Sequence, residues 1–596
     1  MNEPTSSAVP ILIYDGNCGF CRIWMNYWRQ LTGPRVDYLA SQEVGDRFPQ
    51  IPQEAYKQAV QLVQPDGSVT SGAEAVAGTL GLLRVYGLFA APSEALYRWI
   101  AGHRDFAYQA TRFTFGTQIE PTRFEGIQWI FLRLLGLIYA VAFASLAPQV
   151  EGLIGSRGIS PAIQLLTSLA QRAGAIRYLA IPSIFWFGVD DRTLTGMAWC
   201  GGVLGGALFI TGFIRGRFER FLLVLLFLLY LSFSAIGQDF LSFQWDSLLL
   251  ETGFLAIFLG RNRIIPWMFR WLAFRLYFLS GAVKLLSGDA SWHNLSALSF
   301  HYHTQPLPTM LAWYADKLPA GVQPFSTGMV LAIELVGPFL LFFPRRIRLA
   351  SAGFMIGLQV LIALTGNYTF FNLLAVAILL FALDDQLVAR WVPEHVVEHF
   401  GSATRRLESR IAMAVAAMIL YLGVAHFWQT FRGTVPAPFA VAMKYIGPLQ
   451  IVNSYGLFAV MTTTRLELQI EGSADGETWK PYEFPYKPGN EGVAPRWVAP
   501  FQPRLDWQMW FAALSNYQSN PWLVSCVVRL LEGSQPVQDL LATNPFPGQP
   551  PRYVRAMLYE YTFSTFDTKS RTGAWWTRQL KREYLPPVGL RAAAGN

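Results

Sequence analysis

The stretch YDGNCGFC, Tyr14 to Cys21, follows the apolar run VPILI and leads into RIWMNYWRQL. This order predicts a buried strand closed by a glycine turn, then an amphipathic helix beginning at or near Cys18. Two cysteines three apart at such a junction form a redox pair. The unpaired N–H groups of the helix N-terminus carry partial positive charge and favour thiolate at the first sulfur. Cys18 is then the attacking thiolate, and Cys21, one helical turn later, the resolving thiol that closes a disulfide. Asp15 serves either as a turn carboxylate or as a proton relay near the thiols. The front domain has no second Cys-x-x-Cys and no histidine pair, which argues against zinc.

Working outward, VQLVQPDGSVTSGAEAVAGTL predicts strand, turn, strand and helix, and LYRWIAGHRDFAY a closing helix. The Asp, Cys and Cys at positions 15, 18 and 21 resemble the motif of the DCC-type thiol-disulfide oxidoreductases. That resemblance implies a thioredoxin-like fold over residues 1–112 and protein thiol-disulfide oxidoreductase activity, exchanging with a cellular thiol reductant or oxidant.

The remainder has a different character. The 596-residue chain is 52% hydrophobic and 14% charged, against about 25% charged in soluble proteins, so most of it belongs in a lipid bilayer. The net charge of +8 comes from arginines in short runs between apolar segments, which fits membrane topology and not nucleic acid. Four cysteines supply no disulfide framework. MNEPTSSAVP lacks a basic n-region, so no cleavable signal peptide is expected.

Apolar runs near the required ~20 residues predict spans near 126–147, 195–214, 219–237, 246–260, 267–287, 328–343, 349–366, 368–383 and 410–428. YLAIPSIFWFG is too short to cross and is expected to be interfacial or re-entrant. Alternate connections carry the basic residues: Arg215, Arg217 and Arg220; Arg261, Arg263 and Arg270; Arg345, Arg346 and Arg348; Arg405, Arg406 and Arg410. The long first loop, with Arg157, Arg172, Arg177 and Arg192, is the exception. Positive-inside logic then places the N-terminus in the cytoplasm, where the thiols rest reduced, and the C-terminus outside. In a bacterium the host would be the inner or plasma membrane.

Ionisable residues within spans are functional candidates. They are Asp246, Glu251, Arg275, Lys284 and Glu334, expected either as ion pairs between helices or as a polar cavity with Lys284 as a base. The next loop, SGDASWHNLSALSFHYHTQPLPTMLAWYADKLP, is dense in rings, prolines and polar groups. Its His301 and His303 would share one face of a strand, but no metal site is assigned. This loop strongly resembles the lipase maturation factor family at Asp289, Trp292, His301, Tyr302, Gln305, Pro306 and Pro308. The match continues through IELVGPFLLFFPRR, GNYTFFNLL, NSYGLFAVM, PRLDWQMWFAAL and WWTRQLKREYLPPV, covering most of residues 120–587. His303 departs from the pattern, where an acid is expected.

Past residue 429, alternation in RLELQIEGS and YVRAMLYEYTFST predicts antiparallel strands, with PWLVSCVVRLLEGS a short helix. Trp507, Trp510, Trp575 and Trp576 are either its core or an aromatic face for a client protein. The fold expected is multi-domain: an N-terminal α/β thioredoxin-like domain (1–112), a polytopic α-helical membrane domain of about nine spans (113–428), and a β-rich extracytoplasmic domain (429–596). The family resemblance implies a membrane-bound maturation factor for secreted lipases or related exported proteins, with no required cofactor beyond a Cys18–Cys21 disulfide. The alternative is an integral-membrane enzyme, since the membrane part looks distantly like the vitamin K-dependent carboxylases, with a quinone-like cofactor and Lys284 as base.

Overall fold

The computed structural model describes residues 9–44, 47–116, 119–211, 217–260, 262–393 and 406–590. Residues 1–8 and 212–214, and Arg215, Arg261 and Arg405, lie outside the described residues. The chain divides into two compact units, residues 1–123 with 343–350 and residues 124–342 with 351–596.

The first unit is built on a four-stranded sheet of order β2-β1-β3-β4. Strands β1 (Ile11–Tyr14) and β2 (Asp37–Ala40) are parallel, joined through helix Gly19–Thr32. Strands β3 (Gln61–Val63) and β4 (Val69–Ser71) run antiparallel around the expected turn, where Gly67 takes φ 84°. Side chains of β1 alternate faces: Leu12 packs with Met25, Tyr38 and Leu62, while Ile11 and Ile13 pack with Tyr56 and Val63. Burial on both sides explains why ILI is uniformly apolar. The single closing helix expected from the sequence is two, Ala90–Gly102 and Arg104–Thr114, because His103 leaves helical geometry at φ −124°, ψ 44°.

Among the described residues, helices Glu125–Leu146, Asp191–Thr211, Arg217–Ile236, Arg345–Thr365 and Arg406–Arg432 are long and apolar enough to cross a membrane. Phe371–Ala382 and Asp385–Trp391, bent by 115°, make a sixth if they count as one span. The spans expected near 246–260, 267–287 and 328–343 fall on helices Gln244–Ile257, Ile264–Leu286 and Val322–Leu335, which carry the buried ionisable residues. Helices Glu125–Leu146 and Asp191–Thr211 cross at Gly136 and Gly205. A Cβ at either position would run into the other helix's backbone, so their approach depends on glycine.

The body has two distinct ends. At one, Arg220 lies 3.6 Å from Glu408 and donates to Leu259 O, while Ile127 N donates to Asp385 Oδ1. At the other sits a four-stranded antiparallel sheet of order β6-β5-β7-β8: β5 (Arg465–Ser473), β6 (Lys480–Pro481), β7 (Tyr553–Phe563) and β8 (Trp576–Val588). Gln149, just past the first span helix, exchanges hydrogen bonds with Gln502 O and Arg504 N (2.8 and 2.9 Å). Asn367 Oδ1, past Arg345–Thr365, accepts from Val498 N and Ala499 N.

The expected boundary near residue 429 does not separate a free-standing domain, because the C-terminal segment enters the helical body. Glu251 and Arg275, with side chains 0% exposed, form an ion pair. Arg275 donates to Asn453 O (2.9 Å), and Glu251 Oε2 accepts from Asn453 N (3.0 Å) and Tyr455 OH (2.7 Å). Nearby, Asp246 pairs with Arg504 at 3.0 Å and accepts from Tyr230 OH. PRLDWQMWFAAL, which contributes Arg504, is a helix (Arg504–Ala513) inside the region expected to be β-rich.

Removing one partner of a buried pair leaves an uncompensated charge, costing about 3–5 kcal/mol. Glu251→Ala or Arg275→Ala should therefore lower the detergent-solubilised protein's melting temperature sharply. The paired change Glu251→Leu with Arg275→Met should recover much of that loss, read by thermal unfolding of the full chain.

Candidate functional site

Two sites emerge, one in each unit. In the first, Cys18 is the N-cap of helix Gly19–Thr32, and its Sγ accepts from Cys21 N at 3.2 Å. The two sulfurs are joined as a disulfide, with Cα atoms 5.2 Å apart. The oxidised form thus fits the turn without displacing the helix. No acidic residue occupies the first helical turn, so nothing there opposes the positive end of the dipole. Gly19 admits the ring of Tyr108 close to the pair, where a Cβ would lie 3.1 Å from it.

Asp15 holds the turn from the other side. Its Oδ1 accepts from Asn17 N and Gln42 Nε2, each at 3.0 Å, and its Oδ2 lies 3.5 Å from Arg104 Nη1. Those contacts are the turn-carboxylate role. Asp15 also lines, with Cys21, a cavity of about 260 Å³ walled by Trp24, Trp28, Tyr97 and Ile100. Gln42 and Arg104 were not singled out from the sequence, since residues 27 and 89 positions beyond Asp15 give no local signal. Cys21, and not Cys18, is among the residues that line this apolar cavity.

In the second unit, Lys284 and Glu334 face one another from helices Ile264–Leu286 and Val322–Leu335. Lys284 Nζ donates to both oxygens of Glu334 (3.0 and 2.7 Å) and lies 5.2 Å from the Trp292 ring centroid. Around the pair is a mostly apolar cavity of about 90 Å³ that also meets His301 and Tyr368. Burial, then the charges of Lys284 and His303, push the His301 imidazole down to about 4, so it is neutral at physiological pH. Tyr368 OH donates to Gln305 Oε1 at 3.0 Å.

The rest of this loop is a socket for the C-terminal region. Asp289 Oδ2 accepts from Met461 N, and Trp292 Nε1 donates to Phe458 O. Arg465, at the start of β5, donates to the carbonyls of His303, Gln305 and Pro306 at 2.8, 2.5 and 2.7 Å. Pro308 bridges to Gly366, and Tyr302 packs against the Trp313, Tyr561 and Trp576 cluster. His301 and His303 sit on a helix, Ala297–Thr304, and not on the strand that the His-x-His spacing suggested. Two helical positions diverge by about 200°, and His303 Nδ1 pairs instead with Asp316 at 2.9 Å. Burial raises the Asp316 carboxyl, but hydrogen bonds from His303 and Lys317 outweigh it and hold it below its ordinary value. Among the described residues no three His, Cys, Asp or Glu side chains gather as metal ligands.

Trp507, Trp510 and Trp576 are buried, which corrects the aromatic-face alternative for these three. Trp507 packs on Trp245 at 4.7 Å, Trp510 Nε1 donates to Thr304 O, and Trp576 lies under the Arg465 guanidinium. Trp575 is half-buried against Lys569. Arg504, Asn453, Tyr455 and Arg465, which complete the buried polar clusters, went unmarked in the sequence. Their partners in the helical body and the loop are more than 150 positions away, although Arg465 also pairs with Glu467, two positions on.

A family model for the lipase maturation factor transmembrane domain matches residues 127–390, and one for the lipase maturation factor C-terminal domain matches residues 451–586. Lipase maturation factor 2 of Gallus gallus is 34% identical over 583 residues, covering 77% of this chain and 81% of its own length. Lipase maturation factor 2 of Homo sapiens is 35% identical over 590 residues, covering 77% and 82%. Lipase maturation factor 1 of Bos taurus is 33% identical over 556 residues, covering 85% and 98%. No solved structure matches the chain. Because the matches take in both the helical body and the region clamped to it, over most of each relative's length, this chain belongs to the lipase maturation factor family.

Proposed function

We propose that this membrane protein is a maturation factor for secreted lipases or related exported proteins, and that its N-terminal unit carries out thiol-disulfide exchange through Cys18 and Cys21. Family membership supports the first part. The second rests on one observation: a Cys-x-x-Cys pair whose first member caps a helix N-terminus free of acidic residues. The parallel β1–β2 pairing around that helix, with β3 and β4 antiparallel beside it, agrees with a thioredoxin-like unit. In the exchange, Cys18 thiolate attacks a client disulfide, one client sulfur leaves as thiolate, and Cys21 thiolate then displaces the second as the Cys18–Cys21 bond closes.

The proposed orientation puts the arginine-bearing end in the cytoplasm and the C-terminal sheet outside. The ends described above support it: Arg220, Leu259 and Glu408 converge at one end, while residues 498–508 cover the other. It requires helices Gln244–Ile257, Ile264–Leu286 and Val322–Leu335 to cross as well, which gives nine spans.

The Lys284 cavity is where a second reading, an integral-membrane enzyme with a quinone-like cofactor, would place its chemistry. The residues do not fit that group. A space of about 90 Å³ is small for a ring system with substituents, and an amine donating to both oxygens of Glu334 is an ion-pair partner and not an unencumbered base.

Three outcomes are expected. A Cys21→Ala variant should accumulate mixed disulfides through Cys18 that vanish when Cys18→Ser is added; recovery of none in any compartment sinks the redox role. In cells lacking the protein, secreted lipase activity should fall severalfold at unchanged lipase protein, and re-expression should restore it; no fall removes the maturation role. An impermeant maleimide should reach reduced Cys18 only after lysis; labelling of intact cells reverses the orientation.

A further inference from the structure

The helices that close the cysteine unit have two faces. Tyr97, Ile100, Ala101 and Arg104 line the cavity beside Cys21, and Ala107 and Thr111 are buried. The opposite face is apolar and open. On Ala90–Gly102 and its N-cap, Phe89, Pro92, Leu96, Trp99 and His103 recur at helical spacing and are all exposed. The Trp99 ring meets Phe106 at 6.0 Å, edge to face, and carries the ridge onto the next helix. There Phe106 and Phe113, seven residues apart and so on one side, are 61% and 74% exposed.

Exposure of this many large apolar side chains in one stripe marks an interaction surface and not chance. Its flanks are basic. Arg98 and Arg112 are exposed beside the ridge, against one exposed acidic residue, Asp105. Rings on one face with arginines at its edge are the composition of a helix lying in a membrane interface, where the rings enter the acyl boundary and the guanidinium groups meet lipid phosphates. A bilayer is also within reach. The first span helix starts at Glu125, with ten residues between it and Thr114, and ten extended residues reach at most about 35 Å.

We infer that helices Ala90–Gly102 and Arg104–Thr114 form a membrane-surface foot, which seats the cysteine unit on anionic phospholipid through Phe89, Leu96, Trp99, Phe106 and Phe113. This inference does not depend on the redox reading. It concerns the outer face of the helices, whereas the thiols use the inner one. Held there, the Cys21 cavity stays close to the lipid surface.

The test uses the full chain reconstituted in vesicles of phosphatidylcholine and phosphatidylglycerol. A benzophenone-bearing phenylalanine replaces Phe106 or Phe113, with the same group at exposed Ser68 in the β3–β4 turn as control and at Leu96 as a further ridge position. Retained protease resistance identifies folded variants. On irradiation, lipid adducts at 106, 113 or 96 should exceed those at 68 by at least tenfold and should fall when phosphatidylglycerol is omitted. Adducts on polypeptide in place of lipid show that protein covers the ridge, and yields equal to position 68 show that water does; either overturns the inference. The redox reading survives both outcomes, because mixed-disulfide trapping by Cys21→Ala does not use this face.

Discussion

The buried pair of Glu251 and Arg275 is the constraint on which the second unit depends. Neither side chain has exposed surface, and charges so placed are tolerated only when each finds a partner and its remaining hydrogen-bonding capacity is met. Here two helices supply the charges, and the chain near Asn453 and Tyr455 supplies the other partners. The pair is thus complete only after a segment some two hundred residues downstream has entered the helical body. Such a pair adds little net stability over an apolar alternative, but it penalises any arrangement in which the C-terminal segment is absent or out of register. Asp246 with Arg504 repeats the device at the end of the body.

The same logic changes the meaning of the loop that makes the family recognisable. In the sequence, Asp289, Trp292, Gln305 and Pro306 stand out as positions that carry the family resemblance. In the structure their polar atoms receive the C-terminal region: a backbone N–H from Met461, a carbonyl from Phe458 and the guanidinium of Arg465. Five hydrogen-bond donors on one arginine, three of its bonds closed by carbonyls of a proline-bearing turn, explain the prolines. They hold the carbonyls outward where helix or strand pairing would consume them.

Legibility in the sequence followed the range of the interactions. Cys18 at a helix start, the β3–β4 turn and β5 over Arg465–Ser473 were readable because glycine, N-caps and two-residue alternation act within a few positions. The ionisable residues were readable as anomalies, since a charge in an apolar run is conspicuous, but their partners were not. Arg504 lies in a stretch that resembles the family but carries no local sign of its partner, and the pairing exists only after folding. The β-rich expectation failed at Arg504–Ala513 for a related reason. A helix buried on nearly all sides shows no clear stripe. The tryptophans stayed open between core and docking face, because ring density alone does not tell the two apart.

Whether the two units work on one client turns on how electrons would pass between them. A thiol relay needs a second cysteine pair, and this sequence has only Cys200 and Cys526 beyond the first. Cys526 is buried in the C-terminal core, and that burial pushes its thiol up to about 12, which leaves almost no thiolate to attack a disulfide. Cys200 is exposed on helix Asp191–Thr211, more than three hundred positions away in sequence, and pairing the two would bury nothing and require the core to open. A relay built of this chain's own cysteines is therefore excluded by their number and by the burial of one of them. Under the proposed redox reading and orientation, exchange at Cys18 and Cys21 would reach an exported protein through a diffusible thiol or carrier, or else would serve substrates on its own side of the bilayer.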